Sequence, residues 1–247
     1  MNEEKFSGKA DNYDKYRPSY PSELTDWLYS LTRAQAVADI GAGTGKFTEK
    51  LLEKPWRVTA VEPNDDMLEK LRGNFPGLRT VRASAEDTGL PSQSFGLVTA
   101  AQAFHWFDEV RFREECRRLL TDGGRLAIVF NSRSSEGISA ARDRVCEEYC
   151  PAFANRNGHM GKRSAEEGDR FLREEYFTSV EVFAQENRAA LTREQFLGDT
   201  LSRSYAPREN DECYAAFVEE IGAVFDEYQQ NGLASVCYTT TCYAGRF

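Results

Sequence analysis

The chain has 247 residues, 40% hydrophobic and 29% charged, with a formal net charge of −9. The length accommodates one large α/β domain, and the longest apolar runs, such as RLAIVF (125 to 130), fall far short of a membrane span. The acidic balance excludes extended nucleic-acid binding, which needs a basic stripe to displace counterions from phosphates.

The first residues, MNEEKFSGKADNYDKYRPSYP, lack the basic start and apolar centre of a secretory signal, and their acids argue against a mitochondrial transit peptide. The expectation is a cytoplasmic protein, monomeric or homodimeric, that engages neither membrane nor nucleic acid. Its six cysteines are then reduced thiols. Cys146 and Cys150 share a helix face and His159 follows, but a metal site needs about four ligands. They are read as small inward-facing hydrophobes, and no metal is expected.

In chain order, SELTDWLYSL (22 to 31) reads as a helix capped by Ser22, with Leu24, Trp27, Leu28 and Leu31 on one face. AVADI (36 to 40) is a short buried strand running into GAGTG, and KFTEKLLEK (46 to 54) is the helix after it. RVTAVE (57 to 62) is a second strand, and NDDMLEKLRGNF (64 to 75) is a helix with an Asn cap and acids in its first turn. Strands follow at 78 to 83 and 95 to 102, then the helix DEVRFREECRRLL, a stop at TDGG, and a fifth strand at 125 to 130. Residues 134 to 176 and 188 to 232 read as mostly helical, around a strand at 179 to 185, and the chain ends in a β-rich stretch, 235 to 247. Strands separated by single helices imply parallel pairing with right-handed crossovers in a doubly wound sheet. The expected organisation is a single domain over residues 1 to 247: N-terminal lid helices to 31, a core at 36 to 130, and a helical cover at 134 to 232.

The glycine turn between first strand and helix carries the ligand chemistry. Backbone N–H groups and a helix N-terminus face whatever binds there, and Gly41, Gly43 and Gly45 permit a close approach. Glu62 ends the next strand, where a carboxylate accepts hydrogen bonds from two ribose hydroxyls. A dinucleotide fingerprint requires a glycine at position 46, which is lysine here. An NAD-dependent oxidoreductase is weakened as a reading on that ground, yet it remains an alternative, as does a non-catalytic binding protein.

The G-x-G-x-G spacing with Asp39 before it, VEPNDDML after the second strand, ASAEDTGLPSQSFGLV leading into the fourth and AAQAFHWFD at its end together resemble the class I methyltransferases that use S-adenosylmethionine (SAM). The resemblance is to the type 11 small-molecule branch that includes trans-aconitate methyltransferases, and it spans roughly residues 6 to 130. It implies an α/β fold with a doubly wound, mostly parallel seven-stranded sheet, Rossmann-like, with helical insertions in the C-terminal half. It also implies SAM as cofactor, S-adenosylhomocysteine (SAH) as product, and a small-molecule acceptor methylated at a carboxylate or other oxygen.

By the same resemblance, Gly41, Ala42 and Gly43 pack on the methionyl part of SAM and Asp39 lies near its amino group. Glu62 holds the ribose, Pro63, Asn64 and Met67 flank the adenine, Ala85 and Glu86 approach the adenine amino group, and Gln102 faces the methyl donor. Tyr16 and Arg17 belong to a segment that folds over the cofactor, with Tyr13 and Tyr20 beside the acceptor; these tyrosines equally suit packing of a terminal helix. His105 stands where it could assist deprotonation of an acceptor or line its pocket, and Trp106 and Phe107 are candidates for the acceptor wall. Arg133, Arg203 and Arg208 could each pair a substrate carboxylate.

Overall fold

The computed structural model describes residues 14–153 and 163–247. Its elements are α1 (Ser22–Leu31), β1 (Ala36–Ile40), α2 (Lys46–Leu52), β2 (Arg57–Val61), α3 (Asp65–Asn74), β3 (Arg79–Val81), β4 (Phe95–Ala101), α4 (Glu109–Leu119) and β5 (Leu120–Arg133). Then follow α5 (Ile138–Tyr149), α6 (Ala165–Arg170), a wider helical turn (Phe171–Tyr176), β6 (Ser179–Leu191), α7 (Arg193–Leu201), α8 (Tyr214–Tyr228) and β7 (Ala234–Arg246). The seven strands form one sheet in the order β3-β2-β1-β4-β5-β7-β6. The first five are parallel, and β7 runs antiparallel to both β5 and β6. The expected doubly wound, mostly parallel sheet is therefore present.

The central strands are buried on both faces, so their sequences are nearly continuous apolar runs that alternate between two cores. Ala38, Ile40, Val98, Ala100, Leu126 and Ile128 pack with Phe104, Phe112 and Leu119 on the α4 side. Val37, Leu97, Ala127 and Val129 pack with Leu24, Leu28, Phe47 and Leu51 of α1 and α2. A further cluster joins α5, α7 and α8 to β7 through Ile138, Phe196, Phe217, Ile221, Phe225 and Val236.

Several boundaries differ from the sequence reading. Pro21, with no side-chain cap bond, precedes α1, and Ser22 is its first helical residue. The fifth strand begins at Leu120, and TDGG lies inside it as an irregular stretch where the register shifts. The strand expected at 179 to 185 continues to Leu191, because every residue from Ser179 to Leu191 pairs with β7. Its Glu186, Asn187 and Arg188 have little β preference of their own, and the long hairpin supplies what local propensity lacks.

Candidate functional site

Between β1 and β4 the winding of the sheet reverses, which is where doubly wound sheets open a crevice beyond the carboxyl ends of their strands. A cavity of about 390 Å³ lies there, bordered by residues that follow β1 (Gly41, Gly43), β2 (Glu62, Pro63, Asn64, Met67), β3 (Ser84, Ala85, Glu86) and β4 (Gln102, Ala103). Trp106, Phe107, Asp108 and Arg111 close the far wall.

The glycine turn is built for close approach. Gly41, Gly43 and Gly45 all have positive φ, at 69°, 58° and 97°. A Cβ on Gly41 would come within 2.7 Å of the Ala103 Cβ and 3.0 Å of the Phe107 ring, so this position is packed as well as strained. Gly45 answers to a different neighbour: a Cβ there would meet Phe75 at 2.5 Å and Leu71 at 2.7 Å, which lets α3 pack against the turn.

Glu62 ties two segments of the wall together. It is 7% exposed, accepts a hydrogen bond from the Gly43 N–H at 2.8 Å through Oε2, and accepts one from the Asn64 N–H at 2.9 Å through Oε1. Backbone bonds from Gly41 and Ala42 to the Val61 carbonyl fix the turn against β2. Asn64 caps α3 by accepting from the Met67 N–H at 3.0 Å, and Met67 is buried beneath the cavity. Glu86 accepts from the Asp108 N–H at 2.9 Å, which joins the segment after β3 to the start of α4.

Asp39 stands behind the turn, outside the cavity wall. It is fully buried and accepts from the hydroxyls of Thr48 at 2.6 Å and Thr99 at 2.7 Å, tying β1 to α2 and β4. Burial pushes its carboxyl up to about 6, against the two hydroxyl bonds that favour the ionised form. Ala42 likewise lies outside the wall and packs toward Leu68 and Leu71.

The remaining expected residues divide. Gln102 adopts φ 54°, an unusual left-handed conformation for a side chain of its size, at the end of β4, and donates to the Asn131 carbonyl at 2.9 Å. His105 is half-buried in a 3-10 turn (Phe104–Trp106), its ring 4.7 Å from that of Trp106, outside the cavity wall. Tyr16 and Arg17 reach α7 instead of the large cavity: Tyr16 donates to Glu194 at 2.8 Å and Arg17 contacts the Ser202 carbonyl at 3.4 Å. Tyr20 is buried edge-on against Phe47 and also borders a small second cavity beside Gln102. Tyr13 and His159 lie outside the described residues. Cys146 and Cys150 are buried thiols in no disulfide, and among the described residues no group of three or more His, Cys, Asp or Glu could hold a metal ion.

Ser84, Ala101, Ala103, Asp108 and Arg111 line the cavity without having been singled out. The first four sit inside the segments ASAED and AAQAFHWFD, so the signal was present. Arg111 is one turn into α4, and nothing in its sequence context marks it. A second, small cavity of about 20 Å³ lies on the other side of Gln102, bordered by Arg17, Lys46, Asn131, Arg203 and Tyr238.

Comparison with known proteins agrees with this architecture. A family described as a methyltransferase domain matches residues 38–128. An uncharacterized methyltransferase of Mycobacterium tuberculosis is 32% identical over 241 residues, covering 96% of this chain and 93% of that protein. Trans-aconitate 2-methyltransferase of Rhizobium meliloti is 32% identical over 158 residues, 61% of each chain. Among solved structures, a type II methyltransferase from Anaeromyxobacter dehalogenans superposes with a TM-score of 0.69 at 28% identity, over 94% of this chain and 98% of that one. At this identity and coverage, and with a seven-stranded sheet of the same fold, this chain belongs to the class I methyltransferase family, and is an enzyme of that family.

Proposed function

We propose that this chain binds SAM in the large cavity and transfers its methyl group to an oxygen of a small-molecule acceptor that enters beside Gln102. One observation carries the reading: the Glu62 carboxylate, held by the Gly43 and Asn64 amides, borders a 390 Å³ cavity beside the glycine turn. An acceptor-only group of this kind suits a ribose diol, whose two hydroxyls donate. The cavity volume falls within the range of nucleoside-sized ligand sites.

In this assignment Gly41 and Gly43 support the methionyl portion, Glu62 the ribose, and Asn64, Met67, Ala85 and Glu86 the base. When bound, SAM supplies an electrophilic methyl group on a sulfonium sulfur. The chain's own contribution is alignment and dryness: Trp106 and Phe107 exclude water from the cavity, and Gln102, fixed by its bond to Asn131, defines the side from which an acceptor approaches. His105, its ring tilted 46° to that of Trp106 and outside the cavity wall, is assigned no step.

Calorimetric titration tests the assignment. SAH is expected to bind one molecule per chain, and Glu62→Ala to weaken it by roughly tenfold or more, the loss of hydrogen bonds to a charged partner. NAD binding in place of SAH would overturn the proposal.

A further inference from the structure

The two edges of the sheet differ in how open they are. β3, at one edge, is three residues long, and shortness is one of the ordinary ways in which an edge is blunted. β6, at the other, runs for 13 residues and pairs with β7 along its whole length in an unbroken register. Its outer side pairs with no strand among the described residues. Several devices that protect such an edge are missing: SVEVFAQENRAAL contains no proline and no lysine, and the constant register leaves no bulge to twist the strand away.

Residues 183 to 191, FAQENRAAL, are patterned symmetrically about Asn187. Glu186 and Arg188 lie next to it on either side, then Gln185 and Ala189, then Ala184 and Ala190, then Phe183 and Leu191. In two copies of this strand paired antiparallel about a two-fold axis through Asn187, each residue stands opposite the other member of its pair. The members of a pair are an even number of positions apart, so both point to the same face of the joined sheet. Each Glu186 then faces the Arg188 of the other copy. Both side chains are exposed, and neither makes an ion pair or hydrogen bond among the described residues. Ala184 with Ala190, and Phe183 with Leu191, add apolar pairs on both sides of the charges.

Charge also selects the register. An axis moved by one residue, to Glu186 or to Arg188, sets two glutamates or two arginines directly opposite each other, which is destabilising. The side chains that repel in the neighbouring registers attract in this one.

We infer that the β6 edge is the interface of a two-fold homodimer, in which the β6 strands of two copies pair antiparallel across Asn187 and continue the sheet from one chain into the other. The occupant is a second copy of this chain because the pattern is complementary to itself. A two-fold contact is closed, so assembly stops at the dimer. β5 and β7 stand between this edge and the crevice beside β4, and the pairing therefore stands or falls independently of the proposed activity.

Analytical ultracentrifugation of the full chain tests the interface. The wild type is expected to sediment at twice 28.0 kDa, and to dissociate more readily as salt rises. Glu186→Arg and Arg188→Glu each oppose like charges at two symmetric places, and each is expected to weaken the dimer about tenfold or more. Combining the two exchanges the charges and restores their attraction, so the double variant is expected to recover the dimer, a result that loss of local structure would not give. Hydrogen exchange provides a measurement that needs no variant: alternate amides between Phe183 and Leu191 should be better protected at high protein concentration than at low. The inference is overturned if the wild type is monomeric up to about 100 μM, if it forms trimers or open chains, or if either folded reversal leaves the dimer intact. Failure of the double variant to re-form the dimer, or exchange along β6 that is independent of concentration, overturns it equally.

Discussion

Asp39 lies within β1 and Glu62 directly after the neighbouring β2, both are buried, and their surroundings give them different work. Glu62 receives two backbone N–H bonds at a cavity wall, whereas Asp39 receives two hydroxyls in the interior. The Asp39 pKa of about 6 lies above its ordinary 3.8, so the native state holds the proton more tightly than the unfolded chain. Its effect on stability is therefore most favourable below about pH 4 and is lost as pH rises through about 6. Asp39→Asn should remove that decline, moving the stability difference in the variant's favour by as much as about 3 kcal/mol between pH 4 and pH 7. Urea unfolding of both proteins across that range checks this, and parallel curves would refute it. At Gly41, alanine must accept a φ of +69° and a contact of 2.7 Å. The left-handed backbone alone costs about 1–2 kcal/mol, so Gly41→Ala should lower stability by at least that much and weaken SAH as well. Unchanged unfolding and unchanged SAH affinity would contradict the packing described for the turn.

At the scale of elements, local chemistry explains what the sequence disclosed and what it withheld. Asn64 and Asp108 are true caps, Asp108 accepting from the N–H groups of Val110 and Arg111. Asp108→Ala should cost about 1 kcal/mol in thermal or urea unfolding, the ordinary value of an N-cap, and should disturb Glu86 through the shared backbone bond. The strands of the parallel core announced themselves as apolar runs, and the glycine turn, Glu62 and the AAQAFHWFD segment came with them because chain-local motifs carry them. The far half of β6 did not, because Glu186, Asn187 and Arg188 are strand only by pairing with Thr239, Tyr238 and Cys237 of β7. Ser22 has a cap's chemistry, yet the turn at Pro21 starts α1 one residue earlier and leaves the Ser22 hydroxyl 3.5 Å from Glu53.

Across the whole molecule, the features least legible in the sequence are those assembled from distant segments. Arg17, Arg133, Arg142 and Arg203 look like unrelated surface cations until β5, α5, α7 and the N-terminal segment bring them around Asp199. The same segment is docked on α7 by the bonds of Lys15 and Tyr16 to Glu194, and the Tyr16 ring occupies the space where Gly198 has no Cβ. Asp199→Ala should therefore be among the most damaging single changes, at about 3–5 kcal/mol, because it leaves buried arginines facing one another. A loss below about 1 kcal/mol on urea unfolding would mean that the cluster is solvated. The contribution of Asp199 is present at neutral pH and disappears as pH falls below the usual carboxylate range, opposite in sign to that of Asp39. The proposed activity turns on which ligand occupies the crevice at the ends of β1, β2 and β4. A crystal structure of the chain with SAH measures that directly: the account predicts the ribose hydroxyls on the Glu62 carboxylate and the base between Met67 and Glu86. Density for SAH outside this cavity, or a ribose turned away from Glu62, would contradict it.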